Sequence, residues 1–153
     1  TAYERALAAI KNLKPIAEEY EINIGLENVW NNFLLSPLEM RDFIDKVDSP
    51  YVGAYFDVGN VVRFGWPEHW IQILNKRILK LDIKEYSRKL QNEKGLWKGF
   101  DAKLGEGSVD WAEVMKALGE IDYQGEWGSA EVAGGDLDRL KDISQRMDQV
   151  FAR

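Results

Sequence analysis

The sequence predicts an α/β fold built on a parallel sheet, and three observations carry that prediction. Apolar runs with two-residue alternation occur at 22–27, 53–58, 78–83 and 125–132. Segments with helical spacing separate and flank these runs, giving the order α-βα-βα-βα-βα. Strands joined through helices need right-handed crossovers, which make neighbouring strands parallel. The 153 residues, 45% hydrophobic and 30% charged, are enough for one domain with a core, assigned to residues 1–153.

Each element has its own local reason. Tyr3, Leu7, Ile10, Leu13, Ala17 and Tyr20 recur at spacings of three and four and predict a first helix. Pro15 lies inside that pattern and predicts a kink or break. The first strand, 22–27, places Ile22, Ile24 and Leu26 on one face. Ser36-Pro37-Leu38-Glu39 then reads as a helix start: Ser as N-cap, Pro in the first turn, Glu closing a capping box. Met40, Phe43, Ile44 and Val47 form the apolar stripe of that helix. After the second strand, Pro67 opens a helix with Trp70, Ile73 and Leu74 inward. The third strand is followed by a long polar segment, 84–108, in which Trp97 and Phe100 fit either a lid over a ligand or the packing of a surface loop. Asp110-Trp111-Ala112-Glu113 starts the next helix, with Val114, Leu118 and Ile121. Beyond the fourth strand, Gly134-Gly135-Asp136 turns into a final helix carrying Leu137, Leu140, Ile143, Met147 and Val150.

Composition removes several chemistries. There is no Cys, so disulfides, thiolate metal sites and Cys nucleophiles are excluded. One His, His69, rules out a site built on several imidazoles, and its place in a first helical turn reads as surface or capping. A net charge of −6 argues against nucleic acid and anionic membranes as partners. No apolar run approaches the ~20 residues of a membrane span. Gly105-Glu106-Gly107 is not a dinucleotide fingerprint, and no Walker motif or nucleophile elbow is present.

The acids are distributed less evenly. Alternate residues of a strand share a face. By that rule Asn23, Gly25 and Glu27 lie together, as do Gly53, Tyr55 and Asp57; Lys80, Asp82 and Lys84; and Gly125, Trp127, Ser129 and Glu131. Every strand thus presents one carboxylate on the face opposite its aliphatics, near its C-terminal end. That edge of a parallel sheet is where α/β proteins place their sites. Clustered carboxylates repel, and need raised pKa values or a bound cation. A divalent-metal site and four separately paired or solvated acids both fit the pattern. Lys80 and Lys84 flank Asp82 and can neutralise it, and Arg88 lies where a polar substrate would be held or is a surface charge.

Five motifs occur in a familiar order: Leu26-Glu27-Asn28-Val29-Trp30, Phe56-Asp57-Val58-Gly59-Asn60, Leu81-Asp82-Ile83-Lys84-Glu85-Tyr86-Ser87-Arg88, Leu104-Gly105-Glu106-Gly107 and Ala130-Glu131-Val132. In them the sequence resembles the xylose-isomerase-like (β/α)8 TIM barrels, and most of all the sugar-phosphate isomerase/epimerase group that includes hexulose-phosphate isomerase, xylulose-phosphate 3-epimerase and tagatose 3-epimerase. The resemblance implies the C-terminal half of such a barrel, strands five to eight. It implies metal ligands Glu27, Asp57, Asp82 and Glu131, with Glu27 and Glu131 as the catalytic acid/base pair, and Arg88, Asn60 and Lys84 near the substrate. Asp82 stands where the family has His, as does Asn60. An all-oxygen ligand set favours Mn²⁺ or Mg²⁺ over Zn²⁺.

The expectation is a metal-dependent isomerase, of ketose 3-epimerase or aldose–ketose type, acting on a small sugar or sugar phosphate in carbohydrate metabolism. Two rivals stand beside it: a non-catalytic barrel fragment or degenerate homologue, and a metal-dependent nuclease of the endonuclease-IV type, which the charge and the single His disfavour. A start at Thr1 with helical spacing at once is read as a native start lying upstream, with a cytoplasmic location expected. Four strands leave two open edges, so homo-oligomerisation or association with an N-terminal half-barrel is expected.

Overall fold

The computed structural model describes residues 1–128 and 135–153. Helix α1 (Ala2–Glu19) leads into β1 (Ile24–Glu27), α2 (Pro37–Val47), β2 (Val52–Asp57) and the single turn α3 (Val58–Val61). Then follow α4 (Pro67–Leu74), β3 (Ile78–Asp82), α5 (Arg88–Lys94), α6 (Trp111–Glu120), β4 (Glu126–Trp127) and α7 (Leu137–Phe151). The strands form one parallel sheet in the order β1-β2-β3-β4. This is the α/β architecture the alternating pattern predicts, a parallel four-stranded sheet with helices.

The helix starts follow their capping chemistry. Ser36 accepts the Glu39 N–H at 3.1 Å, Asp110 that of Glu113 at 3.2 Å and Asp136 that of Arg139 at 2.9 Å. The Glu39 carboxylate returns to the Leu35 N–H rather than to Ser36, so the expected capping box closes one residue early. Helix α1 runs through Pro15 to Glu19 without the break its proline predicts. Met40, Phe43, Ile44 and Val47 of α2, Trp70, Ile71 and Leu74 of α4, and Trp111, Val114, Ala117 and Leu118 of α6 are buried in one core with Ala54, Phe56, Ile78 and Leu81 of the sheet. In α4 it is Ile71, and not Ile73, that is fully buried.

Three expectations about the strands change. Ile22 lies outside β1 and is 61% exposed, because the chain turns at Glu21, whose φ is +53°, before the ladder begins. In β3 the alternation breaks: Ala54 pairs with Ile78 but Tyr55 pairs with Lys80, so Leu79 is the extra residue of a bulge. The bulge lets Ile78, Leu81 and Ile83 all enter the core while Lys80, its ammonium 5.3 Å from the Tyr55 ring, stays on the opposite face. In β4 the phase is one residue from that expected. Lys80 pairs with Glu126 and Leu81 with Trp127, and partnered residues share a face. Trp127 therefore lies on the helix-covered side, 4.9 Å from the Phe151 ring of α7 and 5.5 Å from Tyr123. It does not share the open face with Tyr55. The remainder of the expected fourth strand, with Ser129 and Glu131, lies outside the described residues.

Among the described residues β1 pairs only with β2 and β4 only with β3, and the face carrying Tyr55 and Lys80 is not the one the helices cover. Open strand edges and an uncovered sheet face favour association. The 153-residue chain is accordingly expected to run as a dimer or larger species in size exclusion coupled to light scattering. A monodisperse monomer with cooperative unfolding would contradict that expectation.

Candidate active site

The site lies at the C-terminal edge of the sheet, where β1, β2 and β3 end side by side on acids. Glu27, Asp57 and Asp82 each offer a carboxylate oxygen, and these oxygens all lie within 4.8 Å of one another. The register explains the convergence: Asp57 pairs directly with Asp82, and Glu27 with Tyr55 one pleat behind. Asp57 and Asp82 are buried, whereas Glu27 is exposed.

Asp57 is the most constrained of the three. Its backbone N–H donates to Asn28 Oδ1 at 2.7 Å, and its carbonyl accepts from Asn28 Nδ2 at 2.8 Å. The buried Asn28 amide thus continues the β1–β2 ladder one step past the strand. Asp57 Oδ1 then caps α3 by accepting the Asn60 N–H at 2.8 Å. The other oxygen, Oδ2, is buried, accepts no hydrogen bond and lies 3.3 Å from the Lys84 ammonium. Burial pushes the Asp57 carboxyl up to about 7, with Asp82 adding to the rise and Lys84 and the Asn60 N–H opposing it. Gly59 allows this arrangement, since a Cβ there would come within 2.9 Å of the Lys84 carbonyl oxygen.

The expected substrate residues fall into different settings. Lys84 enters the carboxylate cluster itself, with its ammonium also 4.8 Å from the Phe100 ring centre. Asn60 is buried beside Asp57, and its carbonyl accepts the Trp30 indole N–H at 2.7 Å. Arg88 is turned onto the polypeptide: Nε donates to the Val62 carbonyl at 2.8 Å and Nη2 to the Gly65 carbonyl at 2.7 Å, with the guanidinium stacked over Trp66. It ties the loop after α3 to the start of α5. Glu131 lies outside the described residues.

Two further residues carry structural weight at the site. One is Asn28. The other is Glu85, a buried acid whose carboxylate accepts from the N–H groups of Tyr86, Gly105 and Val109 and from the Trp111 indole, at 2.9–3.1 Å. Gly107 is packed so closely that a Cβ would lie 2.3 Å from a Glu85 oxygen. The Leu104-Gly105-Glu106-Gly107 motif is therefore the wrapping of a buried carboxylate. The signal available in sequence was an acid directly after Asp82-Ile83-Lys84, followed about twenty residues later by glycines. The segment 84–108 is folded down by this anchor and by Tyr86, whose hydroxyl donates to Gln91 Oε1 or the Leu96 carbonyl, at 2.6 and 2.8 Å.

A cavity of about 460 Å³ opens at the opposite end of the sheet among Asp45, Asp48, Lys76 and Arg77, and none of the site acids lines it. The carboxylate cluster and this cavity are therefore separate features of the sheet's two ends. Hard oxygen donors at this mutual spacing fit a divalent cation, which would share Asp57 Oδ2 with the Lys84 ammonium.

A parallel sheet with helices whose strands deliver acids to their C-terminal edge is the arrangement of an α/β protein such as part of a (β/α)-barrel. The chain belongs to the xylose isomerase-like TIM barrel family, whose model matches residues 1–150. It is 30% identical to a 3-oxo-isoapionate decarboxylase of Pectobacterium atrosepticum over 119 residues, covering 75% of this chain and 41% of that protein. It is 28% identical to a D-psicose 3-epimerase of Enterocloster bolteae over 127 residues, covering 79% of this chain and 37% of that protein. Among solved structures, a D-tagatose 3-epimerase-like protein superposes with a TM-score of 0.74 at 23% identity, over 97% of this chain and 55% of that one. The chain thus spans about 40% of the length of these curated relatives.

The raised Asp57 carboxyl has a measurable consequence. A carboxyl raised above its ordinary value of 3.8 stabilises the fold while protonated, and that contribution is lost as pH climbs from about 4 through about 7. Without divalent metal, Asp57→Asn should therefore gain on the wild type across this interval, by ~5 °C or more in Tm at pH 7.5. Added Mn²⁺ should narrow the gap by stabilising only the wild type. Parallel pH profiles for the two proteins would refute the assignment.

Proposed function

We propose that this chain carries half of the active site of a divalent-metal-dependent isomerase or epimerase that moves a proton next to the carbonyl of a ketose or ketose phosphate. The single observation that carries the reading is the meeting of Glu27, Asp57 and Asp82 within 4.8 Å at the C-terminal ends of three successive strands. Glu27, Asp57 and Asp82, with Glu131 as the fourth ligand the resemblance implies, would hold Mn²⁺ or Mg²⁺. Bound there, the ion would supply Lewis-acid stabilisation of negative charge developing on the substrate oxygens.

The residues divide the remaining work. Glu27 is exposed at the cluster's edge and can reach a ligand; as general base it removes the proton next to the carbonyl, leaving an ene-diolate. Glu131 is assigned the opposite face. Return of the proton from that face to the same carbon inverts the centre, giving epimerisation. Return to the neighbouring carbon gives aldose–ketose isomerisation. The Lys84 ammonium lies where it can also donate to a substrate oxygen, and Asn60 and Arg88 line the approach through the loops they hold. The relatives support this reading by their chemistry. A 3-oxo acid losing carbon dioxide and a ketose epimerised at its third carbon both develop negative charge beside a carbonyl, which the same cation site would stabilise.

Two outcomes follow. In the full-length enzyme, assayed with Mn²⁺ on a panel of ketoses and ketose phosphates, Glu27→Gln should reduce turnover by at least ~10²-fold, the lower range for a lost general base. Near-normal turnover would remove Glu27 from the mechanism. Asp82→His should shift metal preference, read by calorimetric titration, from Mn²⁺ and Mg²⁺ toward Zn²⁺ or Co²⁺, because imidazole is the softer donor. Unchanged selectivity would take Asp82 off the ligand set.

A further inference from the structure

Beside the carboxylates stands an aromatic array that the proton-transfer chemistry does not use. Trp30 is its centre, with ring centres 4.9 Å from Phe100, 5.2 Å from Trp97, 5.5 Å from Tyr86 and 6.0 Å from Phe64. These rings come from the segments following three different strands, yet one hydrogen-bond chain ties them to the acid site. The Trp30 indole donates to the Asn60 carbonyl, and the Asn60 N–H donates to the Asp57 carboxylate. On the other side, the Lys84 ammonium contacts both Asp57 and the Phe100 ring. The array is therefore held in fixed relation to the carboxylates.

The rings differ in what covers them. Arg63 lies over Trp30 and Phe64, Arg88 over Trp66 and Lys84 over Phe100. Among the described residues no cation lies over Trp97, which is 67% exposed at the outer end of the array. Trp97 is thus a large ring backed by Trp30 and Phe100, with its outer surface in water near the acid site. Trp97 stands one ring beyond Phe100, whose own face meets the Lys84 ammonium beside Asp57, so a group seated on Trp97 would extend outward from a ligand at the carboxylates. The electron-rich face of an indole matches the weakly positive C–H face of a pyranose.

We propose that Trp97 is the platform of a second-ring subsite, so that the substrate is a ketose bearing another sugar ring, which stacks on Trp97 while the ketose occupies the carboxylate cluster. This rests on the sugar reading given under Proposed function and narrows it to glycosylated ketoses. The test compares D-fructose with isomaltulose, a fructose carrying a glucose ring, by saturation-transfer difference NMR on the Mg²⁺-loaded protein. Isomaltulose should bind ~10-fold more tightly than fructose, with strong transfer to its glucose protons. Trp97→Ala, at an exposed position, should bring isomaltulose down to the fructose level, and Trp97→Phe should restore part of the difference. Equal affinities in the wild type, or a preference that survives Trp97→Ala, would overturn the subsite while leaving the ketose reading intact. A Trp97→Ala variant that instead loses oligomers in light scattering would assign the ring to a contact between copies and also overturn it. Failure of the protein to bind either sugar would remove the ketose reading and this inference together.

Discussion

Keeping a carboxylate dry is the constraint on which the C-terminal edge of the sheet depends. Asp57 has no exposed surface, and an ionised carboxylate in such a place must be offset by donors or cations. The chain meets this demand from three directions. Asn28 fixes the Asp57 backbone, the first turn of α3 engages one carboxylate oxygen, and Lys84 approaches the other. The absence of a side chain at Gly59 is part of the same arrangement, since it lets α3 sit against the end of β3. Trp30, by bonding to Asn60, carries the constraint outward into the surrounding loops.

Glu85 shows the other way to bury an acid. It lies only three residues beyond Asp82 and is comparably buried, yet it is surrounded by four N–H donors. Those donors come from residue 86 and from residues 105–111, and they order the segment between β3 and α6. Asp57 and Asp82, in contrast, face each other's carboxylates, with the Lys84 ammonium beside Asp57. The kind of partner, and not burial alone, separates the acid that holds the fold from the acids suited to chemistry.

The family relationship is consistent with this division of labour. Family members carry different reactions on one scaffold, as the decarboxylase and the epimerase among the relatives illustrate. A site of that versatility needs a fixed carboxylate cluster and replaceable surroundings. Here the cluster is fixed by strand ends, while the aromatic and cationic surroundings come from the connecting segments, where substitution leaves the sheet intact.

The α/β class, the parallel order and the set of strand-end acids were legible in the sequence, because hydrophobic periodicity and capping residues act over a few neighbours. Glu27, Asp57 and Asp82 could be aligned by counting alternate residues, and the structure brings them together. Counting failed where a long-range contact overrode it. The bulge at Leu79 and the shifted phase of Trp127 arise because Ile78 and Trp127 gain more from the helix-side packing than strict alternation would permit. The roles of Asn28, Glu85 and Arg88 were likewise decided in three dimensions. Their side chains bond to groups 20–29 residues away, a pairing that no local pattern encodes. Sequence alone thus determined which residues carry charge to the edge of the sheet; only the tertiary structure decided which of those charges are met by donors, which by each other, and which side chains hold the loops around them.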